Sequence, residues 1–316
     1  MRLFKHLSAV VLAVLPVGWI TPALAYTPGC LGAEPGKASM VVVPGSNRTV
    51  LLYLPKSFPA PRPAPLVLLL HGSGGTGREV LAHSRLAEAA DHNGFIIAAP
   101  DGGIPLGKGF VWNIPGVPAV SRRMPSSKDL NDVAFLQHAV DSLVMDRCIA
   151  SDQVFATGIS GGGRMTSLLA CVDAGRFAAI APVVGLRAGI PLAGEPTRPD
   201  PASCQPSHPM PIMAFAGDAD RTNPIAGGGA PYWQYSMRVA ETRWAELNGC
   251  KAAVTRRSVV ADRVYEEGFT HCRDGADVLA RVTIGGTHEW VADNEALWAF
   301  FAKHRRRQVP AETTSR

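Results

Sequence analysis

An α/β fold, with a mostly parallel sheet covered by helices on both faces, is predicted by three features of the sequence. Short continuous apolar runs alternate with amphipathic helical segments along nearly the whole chain. The runs lack inward–outward alternation, as strands buried on both faces require. No linker divides the 316 residues, and a hydrophobic content of 47% supplies one large core. No internal repeat is visible, which argues against a solenoid.

The elements follow in order. Arg48 to Leu54 is a short strand after the turn Pro44-Gly45-Ser46-Asn47. Pro55 to Pro65 holds five prolines and reads as a stiff connector. Leu66 to Leu70 is a buried strand. Arg78 to His92 is helical, with Val80, Leu81, Leu86 and Ala90 as its apolar positions, and Asn93-Gly94 stops it. Phe95 to Ala99 is the next strand. Asp129 to Met145 is a helix with Val133, Leu136 and Val140 on one face. Strand Val154 to Thr157, helix Gly163 to Cys171 and strand Ala178 to Val184 come next. Strand Pro211 to Ala216, helix Tyr232 to Leu247, strand Leu279 to Ile284 and helix Asn294 to His304 complete the alternation. Two long Pro- and Gly-rich stretches, Gly102 to Lys128 and Gly185 to Pro209, break it and are expected to be functional.

Charge and cysteines bound the setting. Net charge is +5, but it sits at the ends. Without the first 25 residues and the tail from Lys303, 24 basic residues face 25 acidic ones. A nucleic-acid partner, which needs a basic folded face, is therefore disfavoured. Residues 1–25 read as a signal peptide: Arg2 and Lys5, an apolar stretch from Leu7 to Ile20, and the cleavage triplet Ala23-Leu24-Ala25 before Tyr26. The apolar stretch is short of the roughly 20 residues that span a bilayer, so no membrane insertion is expected after its removal. Residues 26–302 are expected to form one domain, and the basic composition of 303–316 predicts a disordered tail. The expected location is secreted, extracellular or periplasmic. All six cysteines, Cys30, Cys148, Cys171, Cys204, Cys250 and Cys272, lie past the cut, and an even count in an exported chain favours disulfides. No C-x-x-C pair supports a zinc site. Cys148, Cys171 and Cys204 fall at the end of the sheet remote from any site. Cys250 with Cys272 is the preferred late pair.

Gly158-Ile159-Ser160-Gly161-Gly162 matches G-x-S-x-G, directly after a buried strand and directly before a helix. In that context it is a nucleophile elbow, with Ser160 above the sheet and the Gly161 N–H aimed at the same space. A serine hydroxyl needs a base, and the base an orienting acid, in the order Ser, Asp or Glu, His. His288, in Gly285-Gly286-Thr287-His288-Glu289-Trp290 after the last strand, is the expected base; His271 and His304 are worse placed. Asp218 and Asp220 both follow strand Pro211 to Ala216. Asp218 could cap the turn, and Asp220, which reaches further, is preferred as the acid. Leu70-His71-Gly72-Ser73-Gly74-Gly75 offers Ser73 N–H as the second oxyanion donor, with His71 bracing the loop. The same loop matches G-x-G-x-x-G over Gly72 to Gly77. A dinucleotide site would leave the elbow unexplained and would be misplaced in an exported chain.

The order Leu69-Leu70-His71-Gly72, Asp132-Val133-Ala134-Phe135, the elbow, Phe177-Ala178-Ala179-Ile180-Ala181-Pro182, Gly217-Asp218-Ala219-Asp220 and Gly286-Thr287-His288-Glu289-Trp290 resembles a known family. It is similar to the secreted α/β-hydrolase esterases grouped as polyhydroxybutyrate depolymerase-like or feruloyl esterase proteins, akin to carbohydrate esterase family 1. Asn248-Gly249-Cys250, Cys148 and Ala170-Cys171 point to the feruloyl esterase branch. Two positions depart from the pattern: Ala216-Gly217 stands where the family often has His-Gly, and Thr287 where it usually has Gly. The resemblance implies the α/β-hydrolase fold, an acyl-enzyme mechanism on Ser160, Asp220 and His288, and neither cofactor nor metal. It implies feruloyl esters of plant cell-wall hemicellulose, such as xylan, as substrate, with hydroxybutyrate oligomers or acetyl esters as the alternative. Trp112, Trp233 and Trp290 are expected to stack on an aromatic acid or a sugar. A serine peptidase, or a catalytically dead polymer-binding protein of the same fold, are the remaining rivals. The sequence leaves the oligomeric state open.

Overall fold

The computed structural model describes residues 30–58, 63–146, 148–260 and 263–306. The leader expected at 1–25 and the chain beyond 306 lie outside them. Ten strands form one sheet: β1 (Ala38–Val42), β2 (Thr49–Tyr53), β3 (Ala64–Leu70), β4 (Ile96–Pro100), β7 (Ile149–Ile159), β8 (Ala179–Val183), β11 (Ile212–Gly217), β12 (Ala252–Val260), β13 (Val264–Thr270) and β14 (Val278–Thr283). Their spatial order is β1-β2-β4-β3-β7-β8-β11-β14-β13-β12. The six central strands from β4 to β14 run parallel. An antiparallel pair closes each edge. Two small hairpins stand off the sheet, β5 (Ile104–Leu106) with β6 (Gly109–Val111), and β9 (Pro191–Leu192) with β10 (Glu195–Pro199).

Strand β3 shows how the apolar runs create two cores. Leu66, Leu68 and Leu70 point to one face, where α3 (Asp132–Met145), α4 (Gly161–Val172) and α5 (Met237–Asn248) pack. Val67 and Leu69 point to the other, against α1 (Gly77–Ser84), α2 (Leu86–Asn93) and α6 (Asn294–Phe301). Successive side chains of a strand alternate between faces, so a strand covered on both sides must be apolar throughout. Each such side chain contributes roughly 1.5–3 kcal/mol by leaving water.

The structure corrects several expectations. The helix expected over Arg78 to His92 is two, broken at Arg85, which adopts φ 55°. The Arg85 guanidinium is held at 2.8 and 2.7 Å by Glu88 in the next turn. Helix α5 starts at Met237 rather than Tyr232, because the Ser236 hydroxyl accepts from Val239 N and fixes the start. Strand β1 and the hairpin β12–β13 were not expected. Residues 303–306, assigned to the tail, belong to the body: Arg305 pairs with Asp152, and Arg306 bonds the carbonyls of Asp152 and Gly175.

The cysteines form three disulfides, Cys30–Cys148, Cys171–Cys204 and Cys250–Cys272. They fit an oxidising compartment. Cys171–Cys204 ties the end of α4 to the stretch 184–211, which joins β8 to β11. Among the described residues no helix is long and apolar enough to cross a membrane.

Two stability outcomes follow. Removing Cys171–Cys204 as a double alanine variant should cost roughly 3–4 kcal/mol in urea unfolding, from the loop it closes. Glu241 is buried on α5, with one carboxylate oxygen bonded to Arg238 and the other unpartnered. Burial pushes its carboxyl up to about 7. The folded state therefore holds that proton more tightly than the unfolded chain, and stability falls as pH rises from about 4.5 through about 7. Glu241→Gln should flatten this fall, measured as the urea midpoint against pH.

Candidate active site

Ser160 stands between β7 and α4 at φ 56°, ψ −112°, a strained conformation for a residue with a side chain. Its N–H donates to Val183 O at 2.9 Å and its carbonyl accepts from Arg164 N at 2.9 Å. The turn is tight because strand and helix nearly touch β3. A Cβ at Gly158 would lie 2.6 Å, and one at Gly162 2.1 Å, from the Leu70 carbonyl oxygen. Only glycine fits either place.

The ends of β11 and β14 meet in the same way. A Cβ at Gly217 would lie 2.2 Å from Gly286 O, and Ala219 N donates to that oxygen at 3.0 Å. This contact joins the loop bearing Asp220 to the loop bearing His288. Asp220 is 4% exposed. Its Oδ1 accepts from Thr222 N at 2.8 Å and Asn223 N at 2.9 Å. Its Oδ2 accepts from His288 Nδ1 at 2.7 Å. The opposite nitrogen, Nε2, lies 2.9 Å from Ser160 Oγ. A carboxylate only accepts, so Nδ1 carries the hydrogen and Nε2 is left to accept the serine proton. Asp218 is used elsewhere: its Oδ1 accepts from Gly285 N at 2.6 Å and pins the turn before His288. His271 lies next to the Cys250–Cys272 bridge, and His304 packs against Phe300. Neither meets Ser160.

The loop after β3 is braced from below. His71 Nε2 accepts from Gly102 N at 2.9 Å, so its Nδ1 donates, to Gly72 O at 2.7 Å. Burial pushes the His71 pKa down, which keeps the ring neutral. The loop is thereby held with the Ser73 amide beside the helix start, 3.0 Å from where a Gly161 Cβ would be. Sequence reasoning gave Asp132 no role, yet it accepts from Gly103 N, Asn113 N and Arg48 Nη1 at 2.8–3.1 Å. Arg48 also donates to Asp101 O, and Asp101 accepts from Gly77 N. The Asp132-Val133-Ala134-Phe135 run was its only signal.

The three tryptophans part company. Trp112 is 3% exposed, stacks on His71 at 4.7 Å and donates to His71 O. Trp233 is 2% exposed, carries the Arg187 guanidinium on its ring and donates to Pro224 O. Their faces are occupied by protein, so the expected stacking on substrate is corrected for both. Trp290 alone of the three lines an open groove of about 510 Å³, with Ser73, Ile159 and Glu289. Arg164 and Arg187, buried behind Ser73 and not foreseen, border a second, narrow pocket.

A parallel sheet with a serine on a strand-to-helix turn defines an α/β hydrolase. The acetyl xylan esterase of Aspergillus awamori shares this fold, with a TM-score of 0.60 at 15% identity over 84% of this chain and 99% of that one. A family model described as "Putative esterase" matches residues 42–267. The chain belongs to this esterase family. Feruloyl esterase B of Piromyces equi is 27% identical over 260 residues, 80% of this chain but only 44% of that protein. A "Probable feruloyl esterase C" of Aspergillus terreus is 25% identical over 89% of this chain and 93% of its own length.

The two aspartates should separate in experiment. Asp218→Asn keeps an acceptor for Gly285 N and should leave kcat within about threefold, as expected of a group outside the reacting atoms. Steady-state kinetics on a short aryl ester checks it.

Proposed function

We propose that this protein is an exported serine esterase that cleaves feruloyl esters of plant cell-wall polysaccharide through an acyl-enzyme. The observation that carries the reading is the hydrogen-bonded line from Asp220 Oδ2 through His288 to Ser160 Oγ, at 2.7 and 2.9 Å. His288 takes the Ser160 proton as Oγ attacks the ester carbonyl. Asp220 holds the imidazole in its reactive tautomer and stabilises the cation that forms. The amides of Ser73 and Gly161 donate to the developing oxyanion; losing one such donor typically costs about 100- to 1000-fold. Expulsion of the alcohol leaves an ester on Ser160, and water activated by the same imidazole hydrolyses it.

The names of the two fungal relatives favour the feruloyl acyl group. The open groove beside Trp290 suits a bulky alcohol such as a polysaccharide chain, which cannot thread a closed pocket. The three disulfides favour export, with residues 1–25 removed and 26–306 forming one domain.

Methyl ferulate should be turned over faster than a short hydroxybutyrate oligomer. Ser160→Ala should reduce that turnover by roughly 10,000-fold or more, and Asp220→Asn by roughly 1,000- to 10,000-fold. Preference for the oligomer would move the assignment to polyester cleavage. Activity surviving in Ser160→Ala would reject the nucleophile. The N-terminal sequence of the exported protein should begin at Tyr26.

A further inference from the structure

Arg164, in the first turn of α4, is 6% exposed and ties the nucleophile to the oxyanion loop. Its backbone N–H donates to Ser160 O at 2.9 Å. Its Nη2 donates to Ser73 Oγ at 3.4 Å, and its guanidinium lies over the Tyr232 ring at 4.1 Å. Its Nε is buried without a partner. Among the described residues, Arg164 has no ion pair with a carboxylate. Burial lowers its guanidinium to about 10, which leaves it charged at neutral pH. The other buried cation, Arg187, is held instead by the Trp233 and Tyr235 rings and by the carbonyls of Leu186 and Tyr235.

A buried cation without a carboxylate destabilises a fold, and an apolar side chain of similar length would fill the same space without that penalty. The charge of Arg164 faces the site. A crevice of about 10 Å³ is lined by Arg164 together with Ser73, Gly161 and Trp112. Its size is at the lower limit for a single water, so little solvent screens the charge there. The Ser73 and Gly161 amides are the donors proposed for the oxyanion. A donor–acceptor distance near 2.9 Å then puts that oxygen within roughly 10 Å of the guanidinium, given its contact with Ser73. At that separation, with an effective dielectric near 20, the attraction corresponds to about tenfold in rate. His288 reaches Ser160 from the loop after β14 and does not border the crevice. The cation therefore favours the oxyanion more than it opposes the imidazolium formed with it.

We infer that Arg164 is a positioning residue for acyl transfer: its buried charge holds the Ser73 loop against the start of α4 and sets a positive field where the oxyanion forms. The bond changes are those of the proposed mechanism. The Ser160 Oγ–carbon bond forms, the carbonyl π pair moves onto oxygen, and the serine proton passes to His288. Formation and hydrolysis of the acyl-enzyme both pass through such an oxyanion, so the field acts on each. A ground-state ester carries no such charge, so the effect falls on kcat rather than KM. The inference rests on Ser160 as nucleophile.

The test follows turnover of 4-nitrophenyl butyrate in Arg164→Met, Arg164→Gln and Arg164→Lys. Arg164→Met and Arg164→Gln should lower kcat at least about tenfold with KM within about threefold. Arg164→Lys, which keeps the charge, should recover most of that loss. 1,1,1-Trifluoro-2-hexanone, which forms an anionic hemiketal on Ser160, should inhibit the two neutral variants at least about tenfold less tightly than wild type. 2-Hexanone, its uncharged counterpart, should inhibit all four proteins within about threefold of one another. Arg164→Gln keeps a polar reach towards Ser73 and covers the case in which Arg164→Met does not fold. Unchanged kcat in the neutral variants, with Ser160→Ala inactive, overturns the role of Arg164 and spares the nucleophile. Equal losses in Arg164→Gln and Arg164→Lys, or equal losses towards both ketones, reduce Arg164 to packing and also overturn it. Turnover persisting in Ser160→Ala rejects the nucleophile and the inference with it.

Discussion

The Leu70 carbonyl oxygen and two glycines set the geometry on which the rest of the site depends. At Gly158 and Gly162 the backbone approaches that oxygen more closely than any Cβ allows. Strand β3, the end of β7 and the start of α4 thereby share one point. Ser160 takes its strained conformation because the chain must reverse there without drifting away from β3. The Ser73 loop leaves β3 within three residues of the same point, so its amide arrives beside Gly161. Loosening this contact would move the Ser160 hydroxyl away from the Ser73 and Gly161 amides, and the candidate site depends on their being held together.

The histidine side is built on the same plan. Gly217 and Gly286 bring two strand ends into backbone contact, and the acid and base loops are fastened to one another before any side chain acts. Asp218 and Asp220 then divide the work, one holding the turn and the other the imidazole. Under the first loop, Asp132 and His71 act as a second tier. Their bonds to Gly102, Gly103 and Asn113 connect the 101–113 excursion to the sheet edge.

How much of this was legible follows from the kind of signal each part leaves. The parallel strands were readable because burial on both faces demands unbroken apolar runs such as Leu66 to Leu70. Ser160 and His288 were readable because glycine spacing and strand ends place them. Hairpin β12–β13 was hidden because its strands mix Arg256, Arg257, Glu266 and Glu267 with apolar residues. The break at Arg85 was hidden because no glycine or proline marks it. Trp112 and Trp233 were misjudged because an aromatic residue in a loop looks the same in sequence whether protein or solvent covers its face. Arg164 and Arg187 were missed for the converse reason: a buried cation is held by rings and carbonyls distant in sequence, and leaves no periodic trace.

The connection between β8 and β11 is unusual among the parallel crossovers here. The others pass through a helix that satisfies its own backbone, whereas residues 184–211 offer a two-stranded hairpin and short turns. Their anchorage is Cys171–Cys204, and Cys204 sits against Gly189 on the wall of the arginine pocket. No cysteine lies next to Ser160, Asp220 or His288 in the chain. The 184–211 connection thus takes its fixed shape only once Cys171 and Cys204 are oxidised, whereas the Ser160–His288–Asp220 geometry rests on backbone contacts that no thiol chemistry touches.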